Sequence, residues 1–141
     1  MSVEETLVIV KPDGVARNLT GEILRRIEAK GYQLVDIRLL QADRDLLAKH
    51  YEEHEGKPFY EPLLEFMSSG SVTAAVVEGD RCIEGFRSLA GATDPTKAAP
   101  GTIRADFAES IDANAVHGSD GPDTARTEIA FFFASMDVHA R

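Results

Sequence analysis

The chain has a single cysteine, Cys82, so it cannot close an internal disulfide. Its fold must rest on packing, and this usage suits a reducing compartment. Long apolar runs are missing too. Nothing approaches the ~20 residues that cross a bilayer. The first residues show no basic segment leading into an apolar stretch, so neither a membrane partner nor a secretion signal is expected. Basic residues are in short supply: 15 Lys and Arg face 24 Asp and Glu, a net charge of −9. A broad nucleic-acid face needs clustered cations and is not expected as the main function. The same deficit sets a condition: if the substrate is an anion, a few cations must converge locally against an unfavourable overall field. Also absent are internal repeats, a G-x-x-x-x-G-K-[ST] phosphate loop, a G-x-G-x-x-G turn and a G-x-S-x-G elbow. Any nucleotide is bound by another arrangement, and acyl transfer through a serine elbow has no support.

What is present suits one domain spanning 1–141, with 43% hydrophobic residues and a cytoplasmic setting. "TLVIVK" (6–11) reads as a buried strand emerging at a sheet edge. "TGEILRRIEAKG" (20–31) places Ile23, Leu24 and Ile27 at helical spacing, and "YQLVDIRLL" (32–40) alternates as a strand. Helices are expected around 43–54 and 61–68, a strand at 71–79, a helix over 80–91, a short strand near residue 117, and a last helix from Pro122. The order fits an α/β (α+β) sandwich of the ferredoxin-like βαββαβ type, with an antiparallel four-stranded sheet and extra helices.

Local rules are broken in particular places. Ile83, Phe86 and Ala90 form a helical stripe that includes Arg87, either a snorkelling side chain or a guanidinium aimed at an anion. Ala125, Ile129 and Phe132 form another that carries Glu128, which needs a partner if buried, structural or catalytic. The segment 91–121 runs roughly 30 residues with no clear period, a length that tends to be functional in a compact domain. It holds Thr93, Arg104, Asn114 and His117, residue types that bind phosphate or react with it. Ile103, Phe107 and Ile111 offer it anchors against the core.

His50 and His54 could share one helix face, but H-E-x-x-H is absent and Cys82 has no companion, so a structural zinc is not expected. A histidine nucleophile attacking phosphorus suits His117 better. A free imidazole with a pKa near ~6.5 is largely neutral at pH 7. The neutral ring has one lone pair for attack while its other nitrogen is held by a hydrogen bond. Lys11, Arg87 and Arg104 are available to take up the charge of such a transfer.

The stretches "TLVIVKPDGVARN", "HYEEHEGKPFY", "GATDPTKAAPGTIRADF" and "NAVHGSD", in this order, resemble the nucleoside diphosphate kinase family from about residue 5 to 134. The resemblance implies a ping-pong exchange in which His117 becomes a pros-phosphohistidine between a nucleoside triphosphate and a nucleoside diphosphate. It places Lys11 on phosphates and ribose, Asn114 at the sugar, and Tyr51, Arg87, Thr93 and Arg104 around the phosphates. Phe59 would stack on the base, and Glu128 with Ser119 would form the polar shell of the histidine. Stacking on one aromatic is tolerant of base identity. Magnesium would be carried by the nucleotide phosphates, with no ligand directly from the protein. A homo-oligomer built from dimers is implied, tetramer or hexamer, with the tail "SMDVHAR" leaving the number open. Ala105, Ala108 and Ser71 depart from common family residues without removing a reacting group. The rivals are a nucleotide-binding interaction protein without turnover and a nucleic-acid end binder. An intact histidine disfavours the first, and the net charge disfavours the second.

Overall fold

The apolar run near the N-terminus is continuous because its strand is covered on both sides. The computed structural model describes residues 3–133. In it, β1 (Val3–Val10) is buried at every position from Thr6 to Val10. It is followed by α1 (Pro12–Ala16), α2 (Thr20–Ala29), β2 (Gln33–Leu40), α3 (Arg44–His50), a 3-10 turn (Glu52–His54) and α4 (Tyr60–Met67). Then come β3 (Val72–Asp80), α5 (Cys82–Ala90), a 3-10 turn (Pro95–Lys97), α6 (Ile103–Phe107), β4 (Val116–Gly118) and α7 (Pro122–Phe133).

The strands form one sheet in the order β2-β3-β1-β4, and every pairing is antiparallel. That is the expected βαββαβ arrangement of an α+β fold. Alternate residues of the central strands feed separate cores. Leu7, Ile9, Ala74 and Val76 pack with Leu47, Leu64 and Phe132 from α3, α4 and α7. Val8, Val10, Ala75 and Val77 pack with Ile23, Ile27, Phe86 and Ile103 from α2, α5 and α6. The helices beyond the basic motif therefore cover the sheet face that α2 and α5 leave open.

β2 lies at the sheet edge and alternates between exposed and half-buried residues, as a strand covered on one side does. Its period was legible for that reason. The segment 91–121 is more ordered than its missing period implies. Asp94 caps the turn at 95–97 by accepting from Thr96 N at 3.0 Å, and Thr102 caps α6 by accepting from Ala105 N at 3.2 Å. Each element is about one turn long, too short for a repeat to show in sequence. Ile103 is fully buried as expected, whereas Ile111 is 56% exposed and anchors nothing. The tail 135–141 lies outside the described residues.

Candidate active site

β4 pairs with β1 so that His117 faces Ile9 across the ladder. Cross-strand partners point to the same face, which here is the one covered by α3 and α7. From α7, Glu128 meets the imidazole: Oε1 lies 3.0 Å from His117 Nε2. The carboxylate also accepts from Ser119 Oγ at 2.6 Å, and that hydroxyl accepts from Leu7 N at 3.2 Å. Burial pushes the Glu128 carboxyl up, but hydrogen bonds from His117 and Ser119 outweigh it and hold the group below its usual value. An ionised carboxylate only accepts, so Nε2 carries the ring proton and the lone pair sits on Nδ1.

The strand bearing His117 is entered through a strained turn. Ala115 has φ 74, and Val116 N donates to Asn114 O at 2.9 Å, a γ-turn of the rarer hand. The end of β1 and the start of α1 clasp this turn. Lys11 N donates to Ala115 O at 2.9 Å, Ala115 N donates to Asp13 Oδ2 at 3.0 Å, and Lys11 Nζ donates to Asn114 Oδ1 at 2.8 Å. Gly14 is needed by close approach: a Cβ there would lie 2.8 Å from Val10 Cγ1 and 3.1 Å from Ala115 O. "KPDG" and "NAVH" are thus halves of one contact, 103 residues apart between Lys11 and Asn114.

A cavity of about 720 Å³ opens above His117 and Glu128, within the range of small-molecule sites. Lys11, Arg87 and Arg104 all line it, so the cations converge as an anionic substrate requires. They disturb one another. Burial and the charge of Arg104 lower Lys11 to about 8, and burial and Arg87 lower Arg104 from its ordinary value. Arg104 donates to Gly91 O and Val116 O, each at 2.8 Å, and its buried Nε finds no partner among the described residues. Buried like charges of this kind are the mark of an anion site.

The observations decide the family. The family model for nucleoside diphosphate kinase matches residues 4–138. The enzyme of that name in Bordetella pertussis is 52% identical over 141 residues, covering 100% of both chains. The one in Mycobacterium avium is 58% identical over 131 residues, 92% of this chain and 96% of that one. The crystal structure of the Aquifex aeolicus nucleoside diphosphate kinase superposes with a TM-score of 0.92 at 40% identity, covering 96% of this chain and 98% of that one. A halophilic nucleoside diphosphate kinase from Halobacterium salinarum, solved with CDP, gives a TM-score of 0.90 at 47% identity, with coverage of 92% and 87%. The chain belongs to the nucleoside diphosphate kinase family. It is a nucleotide-binding phosphotransferase with that activity.

The residues carried over from the family fall into place unevenly. Lys11, Tyr51, Arg87, Thr93, Arg104, Asn114, His117 and Glu128 line the cavity. Ser119 is fully buried behind it, on Glu128. Arg87 is exposed on the cavity side of α5, outside the buried stripe. Phe59 does not line the cavity; it is 48% exposed, with its ring 5.2 Å from that of His54, which does. The helix face shared by His50 and His54 does not form either: α3 ends at His50, and His54 belongs to the next turn.

Residue-by-residue reading gave Asp13 no role and weighed His50 only as a zinc ligand sharing a helix face with His54. Asp13 was visible inside "KPDG", but its task depends on a contact 102 residues away. His50 ends α3 with its side chain 1% exposed, its ring centroid 4.9 Å from that of His117. Burial first, and then the neighbouring His117, lower its pKa to about 3. No helix among the described residues is long and apolar enough to cross a membrane.

Proposed function

We propose that this nucleoside diphosphate kinase works by a ping-pong mechanism in which His117 Nδ1 takes the γ-phosphoryl group of a nucleoside triphosphate and passes it to a nucleoside diphosphate. The observation that carries the reading is the Nε2–Glu128 hydrogen bond of 3.0 Å, which leaves the lone pair on the opposite nitrogen. In the first half-reaction the Nδ1 lone pair forms a bond to the γ-phosphorus as the bond to the bridging oxygen breaks. The nucleoside diphosphate leaves with that oxygen. The imidazolium so formed keeps its Nε2 proton on Glu128, and the second half-reaction reverses these steps with another diphosphate. Lys11, Arg87 and Arg104 take up the charge that spreads over the transferring group. Tyr51 and Thr93 border the phosphates, Asn114 orients Lys11 and the sugar, and Phe59 at the rim is suited to the base. The CDP bound by the Halobacterium salinarum relative supports a nucleotide in this cavity.

Magnesium fits this scheme as an ion carried by the substrate. It prefers octahedral oxygen ligands, whereas His50, His117 and Glu128, a set of potential ligands that converges here, offer two imidazoles to one carboxylate. The protein's own hold is on the phosphates, through Lys11, Arg87 and Arg104. When bound, the ion neutralises charge on the phosphate oxygens. We place the single domain in the cytoplasm as a homo-oligomer built from dimers. The edge strand β2 supports assembly, because Ile37 and Leu39 are 45% and 66% exposed on it.

Labelling with γ-labelled ATP tests the mechanism. The label on the wild type is expected to be acid-labile and base-stable, and any nucleoside diphosphate should discharge it. His117→Ala should abolish it while nucleotide binding persists. Normal turnover in that variant would refute His117 as nucleophile.

A further inference from the structure

His50 has no task in phosphoryl transfer, yet its ring is sealed into the cavity floor. Neither of its nitrogens has a hydrogen-bond partner among the described residues. Buried polar atoms are rarely left so, because each unmet one costs about 1–3 kcal/mol. The Nδ1 atom lies 3.7 Å from Glu128 Oε2, and the other carboxylate oxygen lies 3.0 Å from His117 Nε2. One ligand atom from each of His50, His117 and Glu128 falls within 4.8 Å of the others. The three sit on α3, β4 and α7: α3 and α7 share one core against the sheet and β4 is paired with β1, so their placement is fixed by the fold.

We propose that these side chains form an inhibitory site for a zinc-like divalent transition ion. Two imidazoles and a carboxylate, with a fourth position open to the cavity, are the ligand set of many zinc centres. Ligands at 2.0–2.1 Å around a tetrahedral ion stand about 3.3 Å apart. The 3.0 Å between His117 Nε2 and Glu128 Oε1 is close to that value. The 3.7 Å from His50 runs to the other carboxylate oxygen, so the carboxylate must turn and the two imidazoles must close in from within 4.8 Å to share one ion. Magnesium, which favours oxygen and keeps its waters, does not compete for it.

Inhibition follows from the tautomer, and this part rests on His117 Nδ1 being the nucleophile. A neutral imidazole has one lone pair. When Nε2 binds the ion, its proton must move to Nδ1, and no lone pair remains to attack phosphorus. Glu128, which otherwise holds the Nε2 proton, becomes a ligand in the same step. The ion thus stores the enzyme in a tautomer that cannot react, and a chelator restores it.

The test begins on the nucleotide-free protein, so that zinc held by phosphates plays no part. Calorimetric titration with zinc chloride is expected to show one saturable ion per chain in the wild type. Binding should be at least tenfold weaker in His50→Gln and in His50→Phe, the second of which keeps the ring volume if the first fails to fold. Cobalt chloride should give the visible absorption of a four-coordinate ion in the wild type and lose it in both variants. With excess magnesium, zinc should then block labelling of the wild type by γ-labelled ATP, and EDTA should reverse the block. No saturable binding, or equal affinity in wild type and variants, overturns the site. Zinc bound through His50 with labelling unimpaired would overturn the inhibition, whereas the nucleophile reading stands or falls on the metal-free labelling of wild type and His117→Ala.

Discussion

At the scale of single residues, the site is built from groups whose ordinary chemistry is altered by one or two neighbours. Lys11 shows this most directly. Burial, followed by the charge of Arg104, brings its ammonium down to about 8. Below that pH the side chain is cationic and can meet a phosphate; above it the charge is lost. The expected outcome is a kcat/KM for nucleoside triphosphate that falls as pH rises through about 8, since that quantity reports the free enzyme. The kcat profile should turn at a higher pH, because bound phosphate favours the charged form. In Lys11→Arg the alkaline limb should leave the measurable range, since guanidinium does not deprotonate there. A pH series over both variants checks this, and superimposable profiles would refute a role for the Lys11 charge. Cys82 is the opposite case. Burial raises its thiol to about 11, so it should resist thiol reagents until the chain unfolds. A thiol that reacts at native rates would contradict that burial.

Among the elements, α6 carries the heaviest duty for its size. It is a five-residue helix that presents Arg104, and its stability comes from α2 rather than from its own length. Arg26 is the clamp: it donates to Glu22 and to Asp106, each at 2.8 Å, and to Gly101 O at 3.3 Å. Its guanidinium also lies 4.8 Å from the centre of the Phe107 ring. Arg26→Ala should raise KM for nucleotide several-fold with a smaller change in kcat, because Arg104 is no longer held in advance. Its cost to global stability should be on the order of 1 kcal/mol, as for a partly exposed ion network. Steady-state kinetics and thermal unfolding separate the effects, and an unchanged KM would count against the clamp. This element also marks the limit of sequence reading. β2, α2 and α7 were legible because each is long enough for burial to impose a period, and β1 and β3 because burial on both faces leaves a continuous apolar run. Within 91–121 the short strand near His117 was expected, but the turn at 95–97 and α6 were not, because their order comes from caps at Asp94 and Thr102 and from contacts with α2 and β4.

Over the whole molecule, the acidic excess and the cationic cavity proposed to take the phosphates coexist by segregation. The net charge is −9, yet Lys11, Arg87 and Arg104 are gathered over one cavity at the end of the sheet. Anions are drawn in locally while the rest of the surface repels them, so higher salt should screen both fields. The other feature at this scale is the edge strand. Ile37 and Leu39 border a shallow depression of about 420 Å³ with Val15, away from the nucleotide cavity. If the chain assembles through β2, Leu39→Asp should lower the assembly mass in analytical ultracentrifugation and reduce the unfolding temperature. A variant with the same mass as the wild type would place the interface elsewhere.

The sequence by itself determined the residue types on which the proposed chemistry draws, a histidine and a few cations, and the succession of strands and helices. These depend on residue identity and on local periodicity, which a chain carries along its length. Only the tertiary structure decided how the groups act on one another. It closed "KPDG" onto "NAVH", laid Glu128 and Ser119 against one ring nitrogen, and buried His50 beside them. Such contacts join residues about a hundred positions apart, and no local pattern encodes a distance in space.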